Sequence, residues 1–149
     1  MSAVEDRLAI DDLITDYVVA VDTLDWDLLA SVCTPGTLID YTAASGPRGT
    51  LGEVLPWLKA ALGTVAMTQH MVVNRRVSLD GDTANARSYI YNPTATDDGN
   101  GGLNVFFLGG YYNDRFVRTP AGWRFAERAL EIAWTEGRFP EGLIKRTPR

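Results

Sequence analysis

The sequence predicts an α+β fold in which helices come first and a strongly curved sheet follows. In the N-terminal part of the chain, apolar residues recur every three or four positions, which is typical of amphipathic helices. From about residue 67 onward the apolar period is two, which is typical of β-strands. Gly109-Gly110 lies in the middle of the longest predicted strand, where paired glycines indicate either a bend or the close approach of a neighbouring chain. Helices grouped before strands favour an α+β fold over a doubly wound sheet.

Three helices account for the N-terminal periodicity. The first spans about residues 3–22 and has the longest amphipathic stripe in the chain. Asp25 is typical of an N-cap and predicts a second, short helix over residues 26–32, which we expect to stop before Pro35-Gly36. A third helix is predicted over about residues 51–62.

Five strands are predicted after or between these helices, at residues 37–42, 67–79, 83–92, 103–118 and 123–135. Asp80-Gly81-Asp82 is typical of the turn that joins the second strand to the third. The segment DDGNGG at residues 97–102 favours a hairpin loop. It does not favour a phosphate cradle, because it lacks the strand-to-helix setting and a following Lys-Ser/Thr.

Composition limits the classes of function. A length of 149 residues with 46% hydrophobic residues predicts a single domain, residues 1–149. The net charge of -5, with both signs interspersed, argues against nucleic acid as a partner. Cys33 is the only cysteine, so an internal disulfide is excluded, and we expect it to fill an apolar helix. Without a signal-like N-terminus or a long apolar run, the chain is expected to be cytoplasmic, with no membrane partner. The single cysteine and the lack of a glycine-rich phosphate cradle favour a function without metal or cofactor.

His70 is the single histidine and lies in the predicted strand segment TQHMVVN. Strand alternation places Thr68, Val72 and Asn74 on the same face as His70, and this mixture of polar and apolar side chains is typical of a cavity wall. An imidazole there can transfer protons near neutral pH, or it can be a packed, hydrogen-bonded core residue. Both interpretations stay open from the residues alone.

Asp22 continues the apolar stripe of the first helix, since steps of four lead from Ile10 through Ile14 and Val18 to Asp22. A carboxylate that points inward needs a partner, and His70 is chemically suited to that role. Asp22 could instead cap the next helix, although Asp25 is better placed for that.

Six short motifs carry a resemblance to a known family: Tyr17-x4-Asp22-x2-Asp25-Trp26-Asp27, Ile39-Asp40-Tyr41, Gln69-His70, Asp80-Gly81-Asp82-x-Ala84, Gly122-Trp123-Arg124-Phe125 and Ile132-x-Trp134. Together they resemble the SnoaL-like branch of the nuclear transport factor 2-like superfamily, above all its scytalone dehydratase and bile acid dehydratase type. The resemblance covers about residues 7–136. It implies a cone-shaped α+β barrel in which three helices pack on a strongly curved mixed sheet, with a pocket behind the first helix.

The resemblance also implies catalytic roles for Asp22 and His70 as a dyad, and for Tyr41 as the group that polarises a substrate carbonyl. The tyrosine that precedes the aspartate in scytalone dehydratase is Val21 here, and its second pocket histidine has no counterpart, so scytalone itself is disfavoured as substrate. Substrate contacts are expected from Tyr17, Asn74, Tyr112 and Trp134, and the polar residue that the family has on the long strand corresponds to Tyr112 or Asn113.

The function that follows is a cofactor-independent lyase or isomerase acting on a hydrophobic, cyclic carbonyl compound of a polyketide or steroid-like kind. Dehydration, isomerisation and cyclisation all stay open. The alternative is a non-catalytic ligand-binding or assembly subunit, as in the small subunits of ring-hydroxylating dioxygenases, which the superfamily also resembles. An open cavity on the order of several hundred Å³, reached by both Asp22 and His70, favours the enzyme, whereas a filled core favours the alternative.

Two further expectations concern surfaces. Apolar residues on both sides of strands 103–118 and 123–135, together with the resemblance, predict a homo-oligomer, either a dimer or a trimer. The segment 138–149 is either a disordered tail or a flap over the pocket, because Phe139, Leu143 and Ile144 stand out in an otherwise polar stretch.

Overall fold

The computed structural model describes residues 2–140, and in it three helices pack on one seven-stranded sheet. The helices are α1 (Ala3–Thr23), α2 (Trp26–Ser31) and α3 (Leu51–Leu62), with one 3-10 turn at Thr42–Ala44. The strands are β1 (Cys33–Asp40), β2 (Arg48–Thr50), β3 (Met67–Thr68), β4 (Met71–Asp80), β5 (Thr83–Asp97), β6 (Leu103–Thr119) and β7 (Gly122–Gly137). The strand order is β2-β1-β7-β6-β5-β3, and β4 also pairs with β5. Because β1 runs parallel to β7 while the other pairs are antiparallel, the sheet is mixed. The predicted α+β class is confirmed.

Local capping explains why the helices begin where the sequence predicts. At the start of α1, Ser2 and Glu5 form a capping box in which each side chain binds the other's backbone N–H. At the start of α3, the Glu53 carboxylate accepts the backbone N–H of Thr50 at 2.7 Å and the Thr50 hydroxyl at 2.8 Å. The Asp25 carboxylate accepts the backbone N–H of Leu28 at 2.9 Å, which confirms Asp25 as the N-cap of α2.

The end of α2 differs from the prediction. The helix ends at Ser31, and β1 already begins at Cys33, so Pro35-Gly36 interrupts the pairing of β1 with β7 as a bulge. Strand β1 begins this early because it contacts the distant strand β7: the carbonyl of Val32 accepts the backbone N–H of Phe125 at 2.9 Å. Cys33 is therefore a buried strand residue and not a filler of a helix, and burial raises the pKa of its thiol to about 11.

Both predicted turns are present. Gly81 adopts φ +56° between β4 and β5, as a tight hairpin requires. In the β5–β6 hairpin the Asp98 carboxylate accepts the backbone N–H groups of Asn100 and Gly102, which closes the loop.

The bend at Gly109-Gly110 is also present. The register between β6 and β7 shifts at this pair. A Cβ atom on Gly109 would collide with the Trp134 ring, and one on Gly110 with the Glu131 carbonyl. The close approach therefore comes from the chain's own β7, and it bends the sheet around the helices.

The core lies between α1 and the helix-facing side of the sheet, where the largest fully buried apolar side chains are Trp123, Tyr17, Phe116 and Phe125. A polar contact fixes the N-terminal end of α1 to the sheet: Arg118 and Trp123 donate hydrogen bonds to the Asp6 carboxylate. The hydrogen bond from Arg118 has the largest effect and that from Trp123 the next largest. Together they lower the pKa of the Asp6 carboxyl group to about 2. Within residues 2–140, no helix combines the length and the apolar character needed to cross a membrane.

Candidate active site

Asp22 and His70 meet at one end of the helix layer. Asp22 lies in the last turn of α1, and His70 lies between β3 and β4. One carboxylate oxygen of Asp22 is 2.5 Å from Nδ1 of His70, and the other accepts the backbone N–H of His70 at 2.8 Å. Because an ionised carboxylate can only accept a hydrogen bond, a neutral imidazole in this contact carries its proton on Nδ1 and its lone pair on Nε2. The dyad is well screened from solvent, with side chains that are 10% exposed for His70 and 20% for Asp22.

His70 lines a cavity between α3 and the sheet that opens to solvent. Its volume is about 110 Å³, below the several hundred cubic ångströms expected from the sequence. Asp22 is not among its lining residues, so the carboxylate supports the imidazole from behind. The rest of the wall is largely apolar and comes from α3, β6 and neighbouring segments, with Trp57, Leu58, Ala61, Leu62, Val65, Phe106, Leu108 and Leu130 among its members.

Two tyrosines belong to the wall of the same cavity. Tyr41 and Tyr112 both line the cavity, and the hydroxyl of Tyr41 is 2.7 Å from that of Tyr17. Burial raises the pKa of all three phenols well above the ordinary tyrosine value. Their hydroxyls therefore stay protonated near neutral pH and can donate hydrogen bonds. Of the predicted substrate contacts, Tyr112 reaches the cavity directly, whereas Tyr17 reaches it through Tyr41.

A buried arginine, for which the sequence predicted no role, packs against two of these tyrosines, Tyr17 and Tyr112. The Arg128 guanidinium lies 4.0 Å from the ring centres of both Tyr17 and Tyr112, and it binds the Asp114 carboxylate through two hydrogen bonds of 2.8 Å. Both side chains of this ion pair are fully buried, and Nη1 of Arg128 has no partner among the described residues. Its positive charge opposes the effect of burial on the tyrosine pKa values, which makes the phenols stronger donors.

A signal for this pair is present in the sequence. Asp114 occupies an inward position between Tyr112 and Phe116 in β6, and Arg128 occupies one between Ala126 and Leu130 in β7. A charged residue within an apolar stripe predicts a buried side chain that needs a partner, and this holds for Asp114 and Arg128 as it does for Asp22.

A cluster of neutral polar side chains lines the cavity beside His70. The Asn92 amide donates to the Thr68 hydroxyl and to the Gln69 carbonyl, both at 3.0 Å. The Thr94 hydroxyl is 3.3 Å from both the Thr68 hydroxyl and the Asn92 amide oxygen. Thr68, Asn92 and Thr94 all line the cavity, and no sequence pattern predicted a role for Asn92 or Thr94.

Two predicted substrate contacts do not reach the cavity. Asn74 lies at a bulge in β4, where it adopts φ +50° and is exposed, because the register shifts between Val73 and Arg76. Trp134 covers Gly109 on the sheet face opposite the helices and lies 5.9 Å from Tyr91. Strict alternation fails at both places, because each bulge adds a residue that reverses which face the following side chains occupy.

A larger groove, of about 470 Å³, lies on the sheet face opposite the helices. Charged side chains line it, and they are largely paired with one another, as in Arg48–Asp40 at 3.3 Å and Arg115–Glu127 at 2.8 Å. His70 is not part of it. Arginine and carboxylate side chains tied up in ion pairs are poorly suited to proton transfer at neutral pH, so the cavity at His70 is the better candidate site.

The predicted flap is described only in part. Phe139 lines the cavity, and its ring centre is 4.5 Å from that of Phe106. Leu143 and Ile144 lie outside the described residues.

Residues 2–129 match the family of SnoaL-like domains. An uncharacterised protein of Mycobacterium tuberculosis strain H37Rv is 39% identical over 128 residues, which cover 86% of each chain. Among solved structures, a scytalone dehydratase candidate from Novosphingobium aromaticivorans aligns with a TM-score of 0.78 at 20% identity, over 95% of this chain and 93% of the other. A type 2 hexachlorocyclohexane dehydrochlorinase aligns with a TM-score of 0.77 at 19% identity, over 97% and 95%. At these identities the two structures establish the fold.

Proposed function

Because the chain belongs to the SnoaL-like family of the nuclear transport factor 2-like superfamily, we propose that it is a cofactor-independent lyase or isomerase in which His70 removes a proton α to a carbonyl group. Solved structures of this fold include proteins named for dehydration and for dehydrochlorination, so the fold is compatible with such chemistry.

The double contact between Asp22 and His70 carries the proposal. One carboxylate oxygen binds the backbone of His70 and the other binds its ring, which supports a fixed position for the imidazole and the tautomer that carries its proton on Nδ1. The lone pair on Nε2 is then available to a ligand in the cavity. When Nε2 takes a proton, the adjacent carboxylate stabilises the resulting imidazolium, as in other oriented bases.

The tyrosines supply the second requirement of this chemistry, which is stabilisation of the enolate oxygen. Tyr41 and Tyr112 both line the cavity and keep their hydroxyls protonated, and the Arg128 guanidinium lies 4.0 Å from the ring centre of Tyr112. Preorganised donors that face a developing negative charge are often the largest contribution to catalysis. Arg128 acts on the reaction through the tyrosines and is thus a positioning residue.

The cavity volume favours a small substrate. Sites for drug-sized ligands occupy on the order of 300 to 1,000 Å³. A cavity of about 110 Å³ with an apolar wall suits a compound with a single ring better than a steroid-like one.

The same volume also fits a second candidate function, in which the protein binds a small ligand or a partner without catalysing a reaction. In that case Asp22 and His70 are a structural pair, and binding occurs without any proton exchange.

The test is deuterium exchange at the α carbon of small cyclic ketones, with cyclohexanone as the first probe. Wild type in D2O is expected to exchange the α protons faster than buffer, and His70→Ala is expected to lower the enzymatic rate about 10²- to 10⁴-fold. Tyr41→Phe should also lower it, because it removes an enolate donor. Gln69→Ala, an exposed neighbour outside the cavity lining, is the matched control and should leave the rate unchanged.

If no ketone of a panel with one ring exchanges faster than in buffer, the general-base role is wrong. Binding of the same ketones without exchange would support the non-catalytic function.

A further inference from the structure

We propose that Thr68, Asn92 and Thr94 form a hydroxyl-binding subsite that receives the leaving group of a β-hydroxy carbonyl substrate, so that the reaction is a dehydration. The inference rests on the proposed function and names its substrate class. Below, these three residues are called the polar cluster.

The register of the sheet places the polar cluster beside the imidazole. Thr68 pairs with Thr94, and Val72 pairs with Ile90, in the antiparallel alignment with β5. His70 lies midway between Thr68 and Val72, so the residue opposite it is Asn92. Side chains directly opposite each other on one face of an antiparallel pair have Cβ atoms about 5 Å apart. A group held by the polar cluster is therefore close to a ligand atom that contacts the ring.

The hydrogen bonds within the polar cluster leave capacity for a ligand. The Asn92 amide donates to Thr68, and the two threonine hydroxyls complete the circuit back to the Asn92 oxygen through contacts of 3.3 Å. In this circuit each hydroxyl donates once and accepts once, which leaves one lone pair on each oxygen. Contacts of 3.3 Å are beyond the usual length for O–H···O bonds, so a hydroxyl group of a ligand can replace them at little cost.

The surroundings favour a ligand role over a purely structural one. Thr94 is 7% exposed and Thr68 is half-buried, yet both face the cavity, where nearby wall residues such as Leu62, Phe106 and Leu108 are apolar. Ligand sites typically combine an apolar wall with a few placed polar groups.

The order of groups along β5 matches the order of atoms in a β-hydroxy carbonyl compound. Tyr112 pairs with Ser88, His70 lies opposite Asn92, and Thr94 lies two residues further on. His70 thus lies between the tyrosine end of the cavity and the threonine end. A carbonyl oxygen at Tyr112, an α carbon at His70 and a β-hydroxyl at Thr94 follow the same sequence.

The reaction balances with these groups alone. Nε2 of His70 takes the α proton, and the electron pair of that C–H bond moves into the enolate, whose oxygen the tyrosines stabilise. The enolate then reforms the carbonyl and makes the α,β double bond while the β C–O bond breaks with both electrons on oxygen. The imidazolium returns its proton to that oxygen, so water leaves and His70 is neutral again.

The test compares two reactions of the same protein. The first is α-deuterium exchange of cyclohexanone, which requires His70 but no leaving group. The second is conversion of 3-hydroxycyclohexanone to cyclohex-2-enone, followed by ultraviolet absorbance. Thr94→Val, which keeps the side-chain shape, should lower the ratio of elimination to exchange about fivefold, the effect expected for one hydrogen bond. Thr68→Val should act in the same direction and serves if Thr94→Val does not fold. Thr96→Val, on the same strand but outside the cavity lining, should leave the ratio unchanged.

The outcomes separate the two proposals. Wild type that exchanges cyclohexanone but does not dehydrate 3-hydroxycyclohexanone overturns the subsite and leaves the general base standing. An unchanged ratio in both threonine variants also overturns the subsite. If wild type performs neither reaction, the proposed function fails and the subsite fails with it.

Discussion

Replacement of Asp22 by asparagine probes the central contact of the site. The change keeps the shape of the side chain but removes its charge and one acceptor. In the native protein the two oxygens of Asp22 accept the backbone N–H and the Nδ1–H of His70. In Asp22→Asn the amide oxygen can accept the backbone N–H, but the amide nitrogen then faces Nδ1. The ring must therefore accept a hydrogen bond at Nδ1 and carry its proton on Nε2, where the proposed base needs a lone pair.

Both rate and stability should fall, by amounts that follow from these contacts. In serine proteases the equivalent change leaves the geometry intact and lowers turnover about 10⁴-fold through the wrong tautomer. Because the Asp22 side chain is 20% exposed and water can partly compensate, we expect about 10²- to 10⁴-fold for α-proton exchange. Exchanging one charge-assisted hydrogen bond for a neutral one costs about 1 to 2 kcal/mol. For a chain of this length that corresponds to a decrease in Tm of roughly 2 to 8 °C.

The assay uses the fact that His70 is the only histidine, so a single set of imidazole signals appears in ¹⁵N–¹H NMR. Wild type should show the Nδ1–H tautomer and Asp22→Asn the Nε2–H tautomer. Exchange rates are measured for Asp22→Asn, for His70→Ala and for the double variant. Since the two residues act as a unit, the double variant should be little slower than His70→Ala alone.

Three results would refute this reasoning. The first is a wild-type imidazole protonated on Nε2 alone. The second is a set of rate losses that add fully in the double variant. The third is a decrease in Tm for both single variants without any effect on exchange, which would identify His70 as a structural residue.

The remaining predictions concern acid stability, the C-terminal segment and assembly. Because hydrogen bonds hold the pKa of Asp6 at about 2, against an ordinary value of 3.8, the stabilisation that Asp6 provides is complete above pH 4 and is lost as the pH falls towards 2. Asp6→Asn should therefore remove this part of the pH dependence from urea unfolding curves, and an unaltered acid limb would contradict the assignment. Deletion of residues 138–149 should weaken ketone binding in calorimetry, because it removes Phe139 from the cavity wall and from its contact with Phe106. If affinity and stability both stay the same, the idea of a flap is wrong. The exposed apolar side chains on the sheet face opposite the helices, Met71, Val73, Tyr89, Tyr91 and Trp134, predict a homo-oligomer in analytical ultracentrifugation. A monomer at micromolar concentrations would exclude it, whereas Trp134→Glu should shift an oligomer towards monomer.

The helices could be predicted closely because their signals are local. The bounds of α1 and α3 agree with the periodicity to within one residue, since capping boxes such as Ser2 with Glu5 join residues only three positions apart. The turn at Gly81 is equally local. Helix ends and tight turns depend on residues that are close in the sequence, so they can be predicted from it.

The strands show where such reasoning stops. Pro35-Gly36 is typical of a stop after a helix, yet Val32 and Thr37 both form hydrogen bonds with the distant Phe125, and a bulged strand results. Strict alternation places Asn74 on the face of His70, but a bulge after Val73 leaves it exposed. A bulge depends on how two distant strands align, and no pattern within one strand reveals it.

For the candidate site, the sequence by itself determined that a single histidine is available and indicated that Asp22 faces inward as its partner, because a charge within an apolar stripe needs a partner. The tertiary structure decided the rest. Curvature of the sheet brings β5, β6 and α3 around one cavity, sets its volume near 110 Å³, and places the polar cluster beside His70. It also buries Arg128 between two tyrosine rings against Asp114. These features depend on which side chains meet across the core, and packing between distant segments determines that only once the whole chain is folded.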